Sequence, residues 1–186
     1  MTTIAKVSDA ARRIGAAPAL AALLAVAGVL AGCASSAPST FTSDNYGYSA
    51  ALPAGWSSHQ AGSQWDGLGS PGFEDSDVDL FTGPNGIVVM AYGTATPQSL
   101  AAYTKATVQA AAAVHQCPAV PASDQAITVG GAPAQLLSTR CQGLPIETAI
   151  TIHGGKAVVF ASQIPSGTGA DRAASRRFPA GMRIQG

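Results

Sequence analysis

The stretch Ile146–Ile164 reads IETAITIHGGKAVVFASQI, and its pattern decides the fold. Two runs rich in Ile, Val, Thr and Phe flank Gly154-Gly155. That pair is hairpin chemistry, because a tight two-residue loop needs positive φ and glycine reaches it without steric cost. The spacing therefore predicts antiparallel strands over Ile146–His153 and Lys156–Ile164. Moving toward the N-terminus, Ala132–Cys141 and Gln125–Val129 read as two more strands, separated by Gly130-Gly131, with Gly143-Leu144-Pro145 as the break before Ile146. Upstream, Thr96-Pro97 predicts a helix start, a hydroxyl N-cap with proline at the first helical position. The helix runs to about His115, with Leu100, Tyr103, Thr107, Val108, Ala111 and Val114 at helical spacing, and Pro118 follows its end.

The outer segments complete the pattern. Val78–Thr82 and Ile87–Tyr92 read as a hairpin about Gly83-Pro84-Asn85-Gly86, and Tyr46–Leu52 as a strand that turns away at Pro53-Ala54-Gly55-Trp56. Residues 57–76 form a Gly/Ser-rich loop carrying Trp65 and Phe73. Asp171–Phe178 is a short terminal helix and Met182–Ile184 a closing strand. The expectation is one α+β domain over residues 41–186, with a mostly antiparallel sheet flanked by helices.

The N-terminus carries the parts of an export signal: Lys6, Arg12 and Arg13, then an uncharged apolar run from Ala16 to Leu30. That run is shorter than the roughly 18–20 apolar residues that span a bilayer. It ends in Leu30-Ala31-Gly32-Cys33, which resembles the lipobox of bacterial lipoprotein precursors. The resemblance implies a signal peptide over residues 1–32 and a diacylglyceryl group on the Cys33 thiol. One acyl chain holds a protein marginally, at about 0.8 kcal/mol per buried methylene, so two or more chains are needed for a stable anchor. Residues 33–40, small and polar, read as a flexible tether between lipid and domain. Arg12-Arg13 raises the twin-arginine route, although Ile14-Gly15 continues that motif poorly.

With Cys33 assigned to lipid, Cys117 and Cys141 remain, and an oxidising envelope favours a disulfide between them. Closing that loop is worth roughly 3–4 kcal/mol in the chain-entropy model. Two free thiols, or a metal site with His115, are the alternatives. From Cys33 onward the chain has seven basic and nine acidic residues, a net charge of −2. That balance lacks the basic footprint of a nucleic-acid binder.

Motifs for chemistry are few. Asp75, Asp77 and Asp79, at alternate positions, resemble the start of a calcium loop, but Leu80 replaces the glycine at its sixth position and Gly86 the glutamate at its twelfth. A solvated acidic strand edge explains the run equally well, so no metal site is assigned. His59, His115 and His153 lack metal-ligand spacing, no serine sits in a nucleophile elbow, and Ser166–Gly169 lacks the Lys-Ser/Thr end of a phosphate loop. Arg172, Arg176 and Arg177 form a basic patch, either a solvated helix face or a contact for anionic headgroups. Trp56, Trp65, Phe73 and Tyr92 either order the loop by packing or line an apolar cleft for ligand.

The order of elements resembles the Mog1/PsbP-like fold, an α/β/α sandwich, and within it the small actinobacterial lipoproteins of the LpqN/LpqT type. The residues that carry this are GYSAALPAGW (Gly47–Trp56), Ile87–His115, VGGAPAQLL (Val129–Leu137) and IETAITIHGGKAVVFAS (Ile146–Ser162). The resemblance implies no catalytic signature and no cofactor. The expected function is that of a membrane-anchored envelope lipoprotein binding a partner protein or an apolar ligand such as a lipid or glycolipid. The alternative is an envelope hydrolase or metal-dependent enzyme whose site no motif reveals.

Overall fold

A computed structural model of the chain describes residues 39–67 and 77–185; Cys33, Phe73 and Asp75 lie outside the described residues. The hairpin that opens the sequence reading forms the centre of the sheet. Strand β8 (Leu144–His153) returns as β9 (Lys156–Gln163), with His153 opposite Lys156 and both Gly154 and Gly155 at positive φ. Strands β6 (Ser123–Val129) and β7 (Ala132–Cys141) form the next hairpin, turning at Gly130-Gly131, also at positive φ.

The turn between β7 and β8 departs from expectation. It is Gln142-Gly143, with φ of 49° and 86°, while Leu144 and Pro145 belong to the strand. Proline has no N–H to donate, but its carbonyl remains, and that of Pro145 accepts from the Ile164 N–H at 3.1 Å. The strand therefore begins two residues before the predicted start.

On the other side of β9 come β5 (Val88–Ala95), β4 (Asp79–Thr82) and β3 (Ser57–His59), giving the order β3-β4-β5-β9-β8-β7-β6 with every pairing antiparallel. Strand β3 falls inside the segment read as loop. Its three residues are exposed and polar, so no hydrophobic pattern marks it. A second sheet joins β1 (Ser39–Thr42), β2 (Tyr48–Leu52) and β10 (Met182–Ile184) in the order β1-β2-β10. Strand β1 corrects the tether: Ser39 and Thr40 pair with Leu52 and Ala51, so the folded domain begins before residue 41. Backbone pairing needs no particular side chain, which is why Ser-Thr read as tether.

Helix α1 (Leu100–His115) starts later than Thr96-Pro97 predicts. Ser99 is its N-cap, accepting from the Ala102 N–H at 3.3 Å, whereas the Thr96 hydroxyl accepts from the Gln98 N–H at 3.2 Å in a local turn. Gln116 ends α1 in the left-handed conformation. Helix α2 (Gly169–Ala180) is longer than predicted at both ends. Thr168 caps it, accepting from the Asp171 N–H at 3.2 Å, and Pro179 sits in the last turn, where the helix is ending.

Strand alternation sorts the core into layers. Leu137 and Thr148 face α1; Leu136, Glu147, Ala149, Phe160 and Ser162 face α2. The small sheet shares the α2 side, where Tyr48 meets Phe160 edge-on at 5.5 Å and Phe41 meets Phe81 at 4.8 Å. Phe178 of α2 lies 4.5 Å from Phe81 and stacks on Trp56 at 5.2 Å. Burying one such ring contributes about 1.5–3 kcal/mol. The domain is thus α+β, an antiparallel sheet with α1 on one face and α2 with the small sheet on the other.

Candidate functional site

A concavity that carries both polar and apolar groups lies between α1 and the β6–β7 hairpin. After the left-handed Gln116, the chain doubles back over the sheet and enters β6 at Ser123. Cys117 on this segment is bonded to Cys141 at the end of β7, with Cα atoms 4.4 Å apart. The crosslink ties the start of the returning segment to the end of β7, and a groove of about 340 Å³ lies between α1, residues 119–121 and the β6–β7 hairpin. Its floor is Val108 and Leu137, its lip Val120 and Pro121, and its rim carries Lys105, Gln109, Asp124 and Gln135. Gln135 donates to the Asp124 carboxyl across the rim.

Two hydroxyls here are buried without a hydrogen-bond partner, those of Thr104 in the groove wall and Thr139 in a small adjoining cavity. A buried polar group left unpaired costs about 1–3 kcal/mol, and such groups in a native protein call for a reason. Of the large hydrophobics most exposed among the described residues, Val120 lines the groove, and the other two lie beyond it toward the disulfide. Val114 lies at the end of α1, Val120, 77 % exposed, on the lip, and Leu144 opposite Cys141 in the strand pairing. The groove combines an aliphatic floor, amide and hydroxyl groups, and one charge of each sign. That arrangement is suited to holding a ligand.

The predicted aromatic cleft is not what the rings form. Trp65 and Tyr92 are buried and pack edge to face at 4.8 Å, near Tyr103 of α1, while Trp56 stacks on Phe178 on the opposite face of the sheet. The described rings therefore belong to two separate packing clusters, because Tyr92 and Trp56 lie on strands and turns that face different layers. Burial, and then the neighbouring Tyr103, raise the Tyr92 phenol; burial pushes Tyr103 up to about 12.

Of the acidic run, Asp77 and Asp79 are among the described residues, and Asp79 points inward. Asp79 is fully buried, its carboxyl accepting from the Tyr48 hydroxyl at 2.6 Å and from the Ala61 N–H at 2.8 Å. Burial first, then the Asp79 charge, hold the Tyr48 phenol well above its ordinary range. Asp77 accepts from the Ser63 hydroxyl at 2.7 Å, and its carbonyl takes the Tyr46 hydroxyl. These groups tie the segment around Ala61–Trp65 to β4; Asp77 is half-buried, whereas the Asp79 carboxyl is engaged in the core by Tyr48 and Ala61 rather than standing at a solvated edge. Among the described residues, no three His, Cys, Asp or Glu side chains are grouped to hold a metal.

The basic patch resolves into unlike members. Arg176 grips Glu147, itself 2 % exposed, through Nε at 3.0 and 3.2 Å and Nη2 at 2.6 Å, and Arg172 stands 3.6 Å from the same carboxylate. The Glu147 hydrogen bonds raise the Arg176 guanidinium above its usual value. Sequence reading missed the groove itself, since Thr104, Gln109, Gln135 and Val120 belong to no motif. The one available signal was the cysteine pair, of which Cys117 lines the adjoining small cavity.

No protein-family model matches this chain, and no curated protein matches it in sequence. The architecture is that of a PsbP-like α+β domain. It is similar to the solution structure of cyanobacterial PsbP (CyanoP) of Synechocystis, with a TM-score of 0.58 at 12 % identity over 85 % of this chain and 98 % of that one. A crystal structure from Bacteroides thetaiotaomicron has a TM-score of 0.47 at 15 % identity over 80 % of this chain, which spans about half of that protein (49 %).

Proposed function

We propose that this chain is a bacterial lipoprotein of the LpqN/LpqT type, anchored on the outer face of the cell membrane by lipid on Cys33. Its domain acts as a non-catalytic module that binds a partner protein or an apolar envelope ligand such as a lipid or glycolipid. The observation that carries the binding role is the groove between α1 and β6–β7, with exposed Val120 on its lip and the unpartnered Thr104 hydroxyl in its wall. Clefts with an aliphatic floor and a few convergent polar groups are the usual form of ligand sites. The anchor rests on Leu30-Ala31-Gly32-Cys33 following an apolar run too short to span a bilayer. A disulfide suits the oxidising side of the membrane to which such a signal would send the domain.

Native mass spectrometry of the protein purified from its own host tests the binding role. A stoichiometric partner or a bound apolar molecule is expected. A bare monomer in repeated preparations would count against it.

A further inference from the structure

The geometry points to the groove and the adjoining sheet edge as one site for an extended peptide segment of a partner protein. The segment would pair with β6 and lay an aliphatic side chain between α1 and β7. This deepens the binding-module reading and rests on it. Among the described residues, β6 ends the seven-stranded sheet and no strand pairs with its outer side, so alternate N–H and C=O groups of Ser123–Val129 point away from β7. An incoming main chain is the ligand that satisfies such a row.

The register supplies the second half of the site. Asp124 lies opposite Leu137 and Ala126 opposite Gln135, which places Asp124, Ala126 and Thr128 on the side of the sheet that α1 occupies. Helix α1 covers β7 and β8 there but leaves those three residues exposed. Asp124 is the β6 residue in the groove's lining, so a strand added beside β6 passes the groove at that end, next to Val120 and Pro121. Thr104, only 7 % exposed and with its hydroxyl unpartnered, stands in the wall. The amides of Gln109 and Gln135 add donors and acceptors for a peptide backbone, and Val108, Leu137 and Val120 receive its side chain. A second copy pairing through its own β6 would present only Asp, Ala and Thr on this side, which cannot cover an aliphatic floor. A lipid tail would cover the floor but leave the main-chain row of β6 unmet. A peptide answers both.

The test uses the full chain in phosphatidylcholine vesicles, with a phage-displayed library of random short peptides as probe. Enriched peptides should share an aliphatic residue with polar neighbours, and the selected peptide should slow hydrogen exchange at the amides of Ser123–Val129. Val120→Asp should weaken binding about tenfold or more, the scale of a central interface residue, with no change in melting because Val120 is mostly solvent-exposed. Proline at Gln125 and at Ala126 forms a second pair of variants. Neighbouring amides alternate in direction, so one of the two removes an outward N–H, spares the β6–β7 ladder, and should also lose the peptide.

Failure to select any peptide, binding that Val120→Asp leaves intact, or protection confined to another segment overturns the site. So does self-association that protects β6 without peptide. A partner cross-linked in the native envelope whose capture ignores Val120→Asp overturns this site and leaves the binding module standing. No partner, no ligand and no selected peptide together overturn both.

Discussion

Asp79 takes part in a buried network that joins β2, β4 and the segment after β3. Its carboxyl satisfies the Tyr48 hydroxyl and the Ala61 N–H; without it the Ala61 N–H would be stranded and the Tyr48 hydroxyl would keep only its contact with Ser43. Asp79→Ala is expected to destabilise the domain by about 3 kcal/mol, since hydrogen bonds to a charged group are worth roughly 1.5–3 kcal/mol each. For a domain of this size that is a fall of roughly 6–12 °C in melting temperature by circular dichroism. Tyr48→Phe removes one donor and leaves no polar group bare beyond Asp79, so its loss should be smaller. Asp171 gives a pH-dependent case. Hydrogen bonds from Ser166, then Asn85 and Thr168, hold its carboxyl below the usual carboxylate range. A pKa lowered by folding means the stabilisation is complete above the unfolded value and is lost as pH falls through the folded one. Asp171→Asn should therefore be less stable than wild type in urea at neutral pH, and the gap should close as the solution is acidified past the usual carboxylate range. The acids themselves were plain in the sequence. Which of them face inward was not, because a strand presents alternate residues to both sides and only the packed layer decides which side is core.

At the scale of elements, α2 and the β7 crosslink carry the clearest tests. Arg176 and Arg177 are neighbours on one helix, yet only Arg176 neutralises Glu147. Arg176→Ala leaves a buried carboxylate with Arg172 alone at 3.6 Å. A broken buried pair costs 3–5 kcal/mol, and the 43 % exposure of Arg176 reduces this to about 2 kcal/mol. Arg177→Ala should stay within about 0.5 kcal/mol of wild type, and chemical denaturation of the two variants compares them directly. The Cys117–Cys141 bond closes the return from α1 to the sheet. Replacing both cysteines with alanine should remove roughly 3–4 kcal/mol of stability and speed hydrogen exchange over residues 116–122. Equal exchange in the two proteins would mean that packing alone holds the groove. Elements with strong local signals were legible: the Gly-Gly hairpins, β5, and most of α1. Strands β1 and β3 were not, because Ser-Thr and Ser-Ser-His acquire strand form from a neighbour's backbone and leave no hydrophobic period.

For the whole molecule, the proposed anchor and the domain give independent expectations. Cys33→Ala should shift the protein from membrane to soluble fractions while its melting temperature holds, because Cys33 precedes the first strand at Ser39. A variant still sedimenting with membranes would remove the lipid anchor from the account. Sequence alone determined the α+β class and pointed to the cysteine pair, since glycine turns, strand-forming runs and two thiols left in one domain are all legible locally. Tertiary structure alone decided that Trp65 and Tyr92 are core and Trp56 belongs to another layer, that Asp79 and Glu147 are buried partners, and that a groove opens beside β6. The physical reason is distance along the chain. Glu147 meets Arg176, Tyr48 meets Asp79, and Thr104 faces Leu137 only after the sheet has assembled, and no local pattern encodes contacts between such remote residues.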